Sequence, residues 1–242
     1  MTSRKQREIR ERHELILDKA RKLFIEQGYH SVTMDSIAKE MEYSKGTIYQ
    51  HFSCKECIIL TLCSRVCSLI LELFTFIANE KHLNPRMQII LTFEAFMLFQ
   101  ELRQEDVQLK ILADSQPFCV KVPDNVTLES KQIEQQTFGV VVSIVNRAIE
   151  NKQIILKEDS NAENIALGGW GLAHGIYMLT QKSGCASTFH IDPPKDLLRV
   201  NSKLFLDGVG WETYGLTDKR KQLISEYSVK FKEVIKGYFP SF

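Results

Sequence analysis

Apolar residues recur at helical spacing along almost the whole chain, and no strand-like alternation competes with them. Ile16, Ala20, Leu23 and Phe24 stand at i, i+4, i+7 and i+8 and are followed by Gly28, which predicts a helix with a glycine stop. Ile37, Ala38 and Met41 repeat the spacing behind Thr33, whose hydroxyl can cap a second helix, while Lys39 and Glu40 point outward. Ser44 caps a further short helix that Ile48 and Phe52, four apart, can anchor to a core. From Cys57 to Ala78 the chain is apolar except where Arg65 and Glu72 interrupt it, and it reads as a long buried helix joining two domains. Longer helices are predicted over about 85–103, 128–149, 162–181, 194–208 and 217–237, separated by Pro, Gly, Asn or Asp. The segments 115–127 and 182–194 read as long loops. The expected fold is all-α, with a three-helix N-terminal domain over 1–56 and a larger helical domain over 57–242.

The polar positions of the third short helix give this pattern its chemistry. With Ile48 and Phe52 turned inward, Lys45, Thr47, Tyr49, Gln50 and His51 occupy its other faces, and these groups can reach phosphates and base edges. Two short helices at a turn, the second small and cationic, have the layout of a DNA-reading helix-turn-helix. A net charge of +1 argues against blanket attraction to nucleic acid, so the cationic signal is local. Arg4, Lys5, Arg7, Arg10 and Arg12 crowd the first twelve residues against Glu8 and Glu11. Such an arm can lie along phosphates or enter a minor groove, or it can be a solvated terminus.

Gly28, Tyr29, Thr33, Tyr49, Phe52, Lys55 and Glu56 follow the spacing Gly-aromatic, Thr, helix-turn-helix, aromatic-x-x-Phe, Lys-Glu. This stretch resembles the DNA-binding region of the TetR/AcrR family of bacterial transcription regulators. The phrase Trp170-x-x-x-His174-Gly175 is similar to a signature of one group of ligand domains in that family, and SKLFLDGVG resembles the end of its last dimerisation helix. The resemblance implies a homodimer paired through the helices at 162–181 and 194–208, reading an inverted-repeat operator on double-stranded DNA. It also implies a small-molecule effector whose binding shifts the helix at 57–78 and releases the DNA, with repression as the default. On this reading Thr33, Tyr49 and Lys55 contact phosphates, Lys45, Thr47, Gln50 and His51 face the groove, and Ser44 and Gly46 complete the DNA-binding set.

Candidate effector contacts are Phe96, Phe99, Trp170, His174 and Tyr177. Trp170, His174 and Tyr177 at i, i+4 and i+7 share a helix face, which suits either a pocket wall or packed core and dimer contacts. Phe93, Phe96, Met97 and Phe99 cluster nearby and suit a hydrophobic or aromatic compound. Glycines at 168, 169, 171 and 175 weaken one helix unless close packing against a partner helix is required. The basic helix after Leu216 lies beyond the family pattern and can cap the ligand domain or extend the dimer surface.

Composition bounds the remaining classes. A chain of 242 residues, 44% hydrophobic and 25% charged, can bury real cores. The charged N-terminus is followed by no apolar leader, and no uninterrupted apolar run approaches the roughly 20 residues of a membrane span. A cytoplasmic protein with no membrane partner is expected. The chain carries no G-x-S-x-G elbow, phosphate loop, H-E-x-x-H or dinucleotide fingerprint, so no enzyme activity and no cofactor are expected. Cys54, Cys57, Cys63 and Cys67 fall within fourteen residues and offer an alternative thiol- or metal-responsive regulator; otherwise they are small core and turn residues, and no metal site is expected. A helical partner-binding protein without operator function is the other alternative, in which the basic groups are incidental.

Overall fold

Capping and apolar spacing between them set the helix boundaries in the computed structural model, which describes residues 3–115, 122–156, 159–181, 194–211 and 217–238. The described residues form ten helices: α1 (Arg4–Gln27), α2 (Met34–Glu40), α3 (Lys45–Tyr49), α4 (Lys55–Asn79), α5 (Pro85–Leu102), α6 (Gln104–Ser115), α7 (Asp124–Glu150), α8 (Ala162–Gln181), α9 (Pro194–Gly208) and α10 (Thr217–Tyr238). They contain no strand, only an isolated bridge between Ile154 and Trp211. The all-α expectation holds.

The helices fall into two compact units, one of residues 1–67 and 103–133, the other of residues 68–102 and 134–242. In the first unit, Ile16, Leu17, Ala20, Leu23 and Phe24 of α1 pack with Ile37, Ala38, Ile48 and Phe52 and with Cys57, Ile58, Ile59, Leu62 and Cys63 from the start of α4. Leu109 and Ala113 of α6 and Val122 close the same core. In the second unit, Leu69, Leu73 and Ile77 of α4 are buried, and α5 is buried over nearly its whole length. The Gln88 side-chain amide donates to the carbonyls of Ile77, Ala78 and Glu80 at 3.0–3.2 Å, and Arg147 donates to Gln88 Oε1 at 2.7 Å, so the end of α4 is tied to α5 and α7. α10 packs on α5 through Tyr227, Phe231 and Ile235, and the Tyr227 hydroxyl donates to Glu80 at 2.7 Å.

Several expectations are corrected. The basic segment 4–12, read as an arm or a solvated terminus, forms the first turns of α1, started by a reciprocal cap between Ser3 and Gln6. Helix α6 was not expected, and 124–127, read as loop, begin α7. The expected loop 182–194 lies, apart from Pro194 at the start of α9, outside the described residues. By length and composition α4 is apolar enough to cross a membrane, yet half of its most apolar window is buried and it feeds both cores.

Candidate functional site

Local caps build the surface around α2 and α3. Thr33 Oγ1 accepts from the Ser36 amide at 3.1 Å and Ser36 Oγ from the Thr33 amide at 2.9 Å, which fixes the start of α2. Ser44 Oγ accepts from the Thr47 amide at 3.1 Å and lies 2.8 Å from Thr47 Oγ1, starting α3. Between them Glu42 turns the chain in the left-handed region at φ 55°, and the Tyr43 amide donates to Ala38 O at 3.0 Å. Ile48 is buried beneath this turn.

The remaining groups then point outward. Thr33, Ser44, Lys45, Gly46, Tyr49 and Gln50 are exposed and Thr47 and His51 half-buried, so the structure places the expected set on one small helix and its flanks. Tyr49, at 45% exposure, is no packing aromatic. Lys45 pairs with Asp35 at 2.7 Å, a contact between exposed side chains that raises the lysine pKa. A β-carbon on Gly46 would meet only Ser44 Oγ, at 3.8 Å, so nothing blocks a backbone approach there. His51 sits 5.8 Å from the His13 ring, which stacks on Phe52 at 4.4 Å. Burial lowers the pKa of both imidazoles, helped at His51 by Arg12, so both are held neutral near pH 7.

Lys55 is engaged within the chain. Its ammonium donates to the carbonyls of Tyr29 and Val32, each at 2.8 Å, and lies 4.0 Å from the centre of the Tyr29 ring. The Tyr29 hydroxyl in turn donates to Glu56 at 2.9 Å. Gly28, at φ 77°, starts the turn that makes these bonds possible. The Gly-Tyr and Lys-Glu phrases therefore clamp the turn after α1 to the start of α4, and Lys55 holds the unit together.

Sequence reasoning missed a second brace. Arg21, on the otherwise apolar face of α1, donates to Asp106 at 2.6 and 3.1 Å and to Glu105 at 3.0 Å, and Arg103 pairs with Asp106 at 2.6 Å. Arg21 and Asp106 are both buried. A cation on a core face requires a buried acid, and that requirement was the available signal for α6.

The thiols form a close pair without a metal cage. Cys54 and Cys57 Sγ atoms lie 3.0 Å apart, and no disulfide joins the four described cysteines. Burial and the neighbouring Cys57 push the Cys54 thiol up to about 12, which keeps thiolate scarce at neutral pH. Among the described residues no group of three or more His, Cys, Asp or Glu side chains is arranged to hold a metal ion.

In the second unit the expected effector residues separate. Phe96 and His174 rings lie 5.2 Å apart, Trp170 and His174 5.7 Å, and Phe138 of α7, not foreseen, lies 6.1 Å from Trp170. Trp170 and His174 are exposed within the chain, whereas Phe99 and Tyr177 are buried. The buried face of α8 runs Ala162, Ile165, Ala166, Gly169, Ala173, Ile176, Tyr177, so Trp170 and His174 stand at its border, next to Tyr177 but uncovered. The glycines also divide. A β-carbon on Gly168 would approach Phe205 to 3.1 Å and one on Gly169 would approach Phe93 to 3.3 Å, while Gly171 and Gly175 face open space. Beside these bare glycines α8 exposes Leu167 and Met178, and α9, packed on α8, exposes Val200 and Leu204.

Comparison with known proteins agrees with this geometry. Residues 16–62 match the family of bacterial regulatory proteins described as the tetR family. The chain is 41% identical over 54 residues to YuxN of Bacillus subtilis, an uncharacterised HTH-type transcriptional regulator, covering 22% of this chain and 19% of that protein. It is 48% identical over 44 residues to the HTH-type transcriptional regulator UidR of Escherichia coli, covering 18% of this chain and 22% of that protein. These matches span about a fifth of each relative's length. The fold extends further: a tetR-family regulatory protein from Rhodococcus RHA1 superposes with a TM-score of 0.63 at 16% identity, over 83% of this chain and 98% of the other.

Proposed function

We propose that this chain, a member of the TetR/AcrR family and a helix-turn-helix transcriptional regulator, acts as a homodimeric repressor that a small apolar effector releases from an inverted-repeat operator. The observation that carries the proposal is the pairing of a polar, cap-built α3 surface with an unpartnered apolar face on α8 and α9. Lys45, Gly46, Thr47, Tyr49 and Gln50 present an ammonium, a bare backbone, two hydroxyls and an amide, the groups that position a protein on phosphates and read base edges. His51 borders this surface, and Thr33 and Ser44 contribute at the two helix starts. Lys55 acts by holding the clamp.

The exposed face of α8 and α9 supports self-association. Leu167 and Leu204 are 61% and 63% exposed, and Gly171 and Gly175 allow another helix to come close. A twofold dimer carries two copies of α3, and the half-sites that such a dimer reads lie about 34–36 Å apart, one helical turn. Helix α4 contributes residues 55–67 to the DNA-reading unit and residues 68–79 to the other, so one continuous helix serves both. An effector that prefers one setting of α4 shifts the operator affinity by its differential affinity for the two settings. The aromatic group of Phe96, Phe138, Trp170 and His174 suits a hydrophobic or aromatic compound. The site of action is the cytoplasm.

Selection of bound duplexes from a random pool tests this reading. It predicts enrichment of one inverted repeat at two chains per duplex. Enrichment of no motif, or of an isolated half-site by a monomer, contradicts it. The thiol-responsive alternative has the Cys54–Cys57 proximity in its favour; loss of DNA binding under oxidant or zinc, abolished by Cys57→Ser, is the outcome that supports it.

A further inference from the structure

Helices α5 and α8 of the second unit touch through Phe93 against Gly169 and through Phe96 against His174. Both contacts advance in the same chain direction, so the two helices have the same sense where these side chains meet. At the helical rise, the chain climbs about 10 Å from Phe93 to Gln100 and about 12 Å from Gly169 to Tyr177, which brings Gln100 and Tyr177 to one level. Their directions agree. At helical pitch Gln100 projects from between Phe93 and Phe96 on α5, and Tyr177 projects from between Gly169 and His174 on α8, so each faces the other helix.

Both groups are orphaned there. Gln100 and Tyr177 are 4% and 3% exposed, and neither Gln100 Oε1 nor the Tyr177 hydroxyl has a hydrogen-bond partner. Native interiors seldom leave such atoms unpaired, and two at one level on facing helices mark a place prepared for a polar visitor. Burial raises the Tyr177 pKa, so the phenol keeps its proton and can donate it. The amide oxygen can only accept.

We propose that Gln100 and Tyr177 form the polar recognition point of the effector site, and that the effector is a neutral alcohol or phenol on an apolar body. The proposal rests on the reading of an effector-released regulator. The ligand hydroxyl accepts from the Tyr177 O–H and donates to Gln100 Oε1, while its hydrocarbon lies against the aromatic side chains. A carboxylate cannot donate to the amide oxygen and is repelled by it. A ketone can accept from Tyr177 and leaves Gln100 unpaired.

Matched pairs that exchange a hydroxyl for a methyl group test this: phenol with toluene, 2-naphthol with 2-methylnaphthalene, and cyclohexylmethanol with ethylcyclohexane, each titrated calorimetrically into the full-length protein. At least one hydroxylated member is expected to bind at least tenfold more tightly than its methyl partner, because the analogue leaves both buried groups unpaired. Tyr177→Phe and Gln100→Leu are each expected to cut that ratio to about twofold or less. The melting temperature of unliganded Tyr177→Phe is expected to hold or rise, since the hydroxyl it removes has no partner. The proposal is overturned by equal affinity within all three pairs, by no binding of any compound, by tighter binding of 2-acetylnaphthalene than of 2-naphthol, by a preference that survives Tyr177→Phe, or by a fall in that variant's melting temperature. Operator release is scored separately. Release by apolar compounds regardless of a hydroxyl overturns the proposal and leaves the effector-released regulator standing. Hydroxyl-selective binding that releases no DNA overturns that reading and leaves the site.

Discussion

Helices α3 and α8 both present unpartnered surface, and they do so with opposite chemistry. α3 is one short turn whose outward residues are Lys45, Gly46, Tyr49 and Gln50; α8 is a 20-residue helix whose outward residues include Leu167, Gly171, Gly175 and Met178. Water solvates the first set well and the second poorly. A polar surface that needs no cover can wait for a charged partner, whereas an apolar one with bare backbone calls for a permanent occupant. Under the proposed function, DNA takes the first surface and a second copy of the chain the other.

The largest predicted effect attacks the apolar side. Leu204→Glu alters an exposed position within one chain, so the protomer should fold, but in a dimer it buries an unpaired charge. The dimer Kd is expected to rise by about 100-fold or more, seen in sedimentation velocity, with operator affinity falling alongside. A stable dimer with unchanged Kd would remove that face from the interface.

The polar side is held up from beneath. Asp106→Ala removes the buried acid that Arg21 and Arg103 share and is expected to cost about 3 kcal/mol or more of stability, measured by denaturant unfolding. A loss below about 1 kcal/mol would show the brace to be incidental. A smaller effect separates positioning from reading. Tyr49→Phe is expected to weaken binding to every duplex by a similar factor, while Gln50→Ala should flatten preference at one base pair by about 1–3 kcal/mol. A changed site preference in Tyr49→Phe would reverse the two roles.

The smallest effect concerns pH. The folded unit lowers the pKa of His13 and His51 below their ordinary 6.5, so the unfolded chain binds protons that the folded one declines. The stability they contribute is complete above pH 6.5 and is lost as pH falls from there through the folded values. Asp18, whose pKa burial raises from 3.8, pushes the other way at lower pH. The melting temperature is expected to fall on going from pH 7 to 5.5, and less so in His13→Gln. A flat profile would show the imidazoles to be solvated.

What the sequence made legible follows from the range of the interactions. Thr33, Ser44, Gly28 and the apolar repeats of α1 and α2 act over three or four residues, and the structure repeats them. α8 and α9 begin and end at the expected residues because Gly, Asn and Pro punctuation is local too. The clamp made by Lys55 was not legible because its partners, the carbonyls of Tyr29 and Val32, lie more than twenty residues away. The Arg21–Asp106 pair spans 85 residues, so nothing local to α6 announced it. Trp170, His174 and Tyr177 share helical spacing, but only the packing of α8 decides which of them is covered.

The measurement that tests the central claim most directly is a fluorescence-anisotropy titration against the DNA upstream of the chain's own gene and against a scrambled duplex, at several salt concentrations. The account predicts saturation at two chains per specific site, affinity at least about 1,000-fold above the scrambled control, and a steep salt slope that falls by about one in Lys45→Ala. Equal weak binding to both duplexes, together with equally weak binding to every site enriched from the random pool, would contradict it.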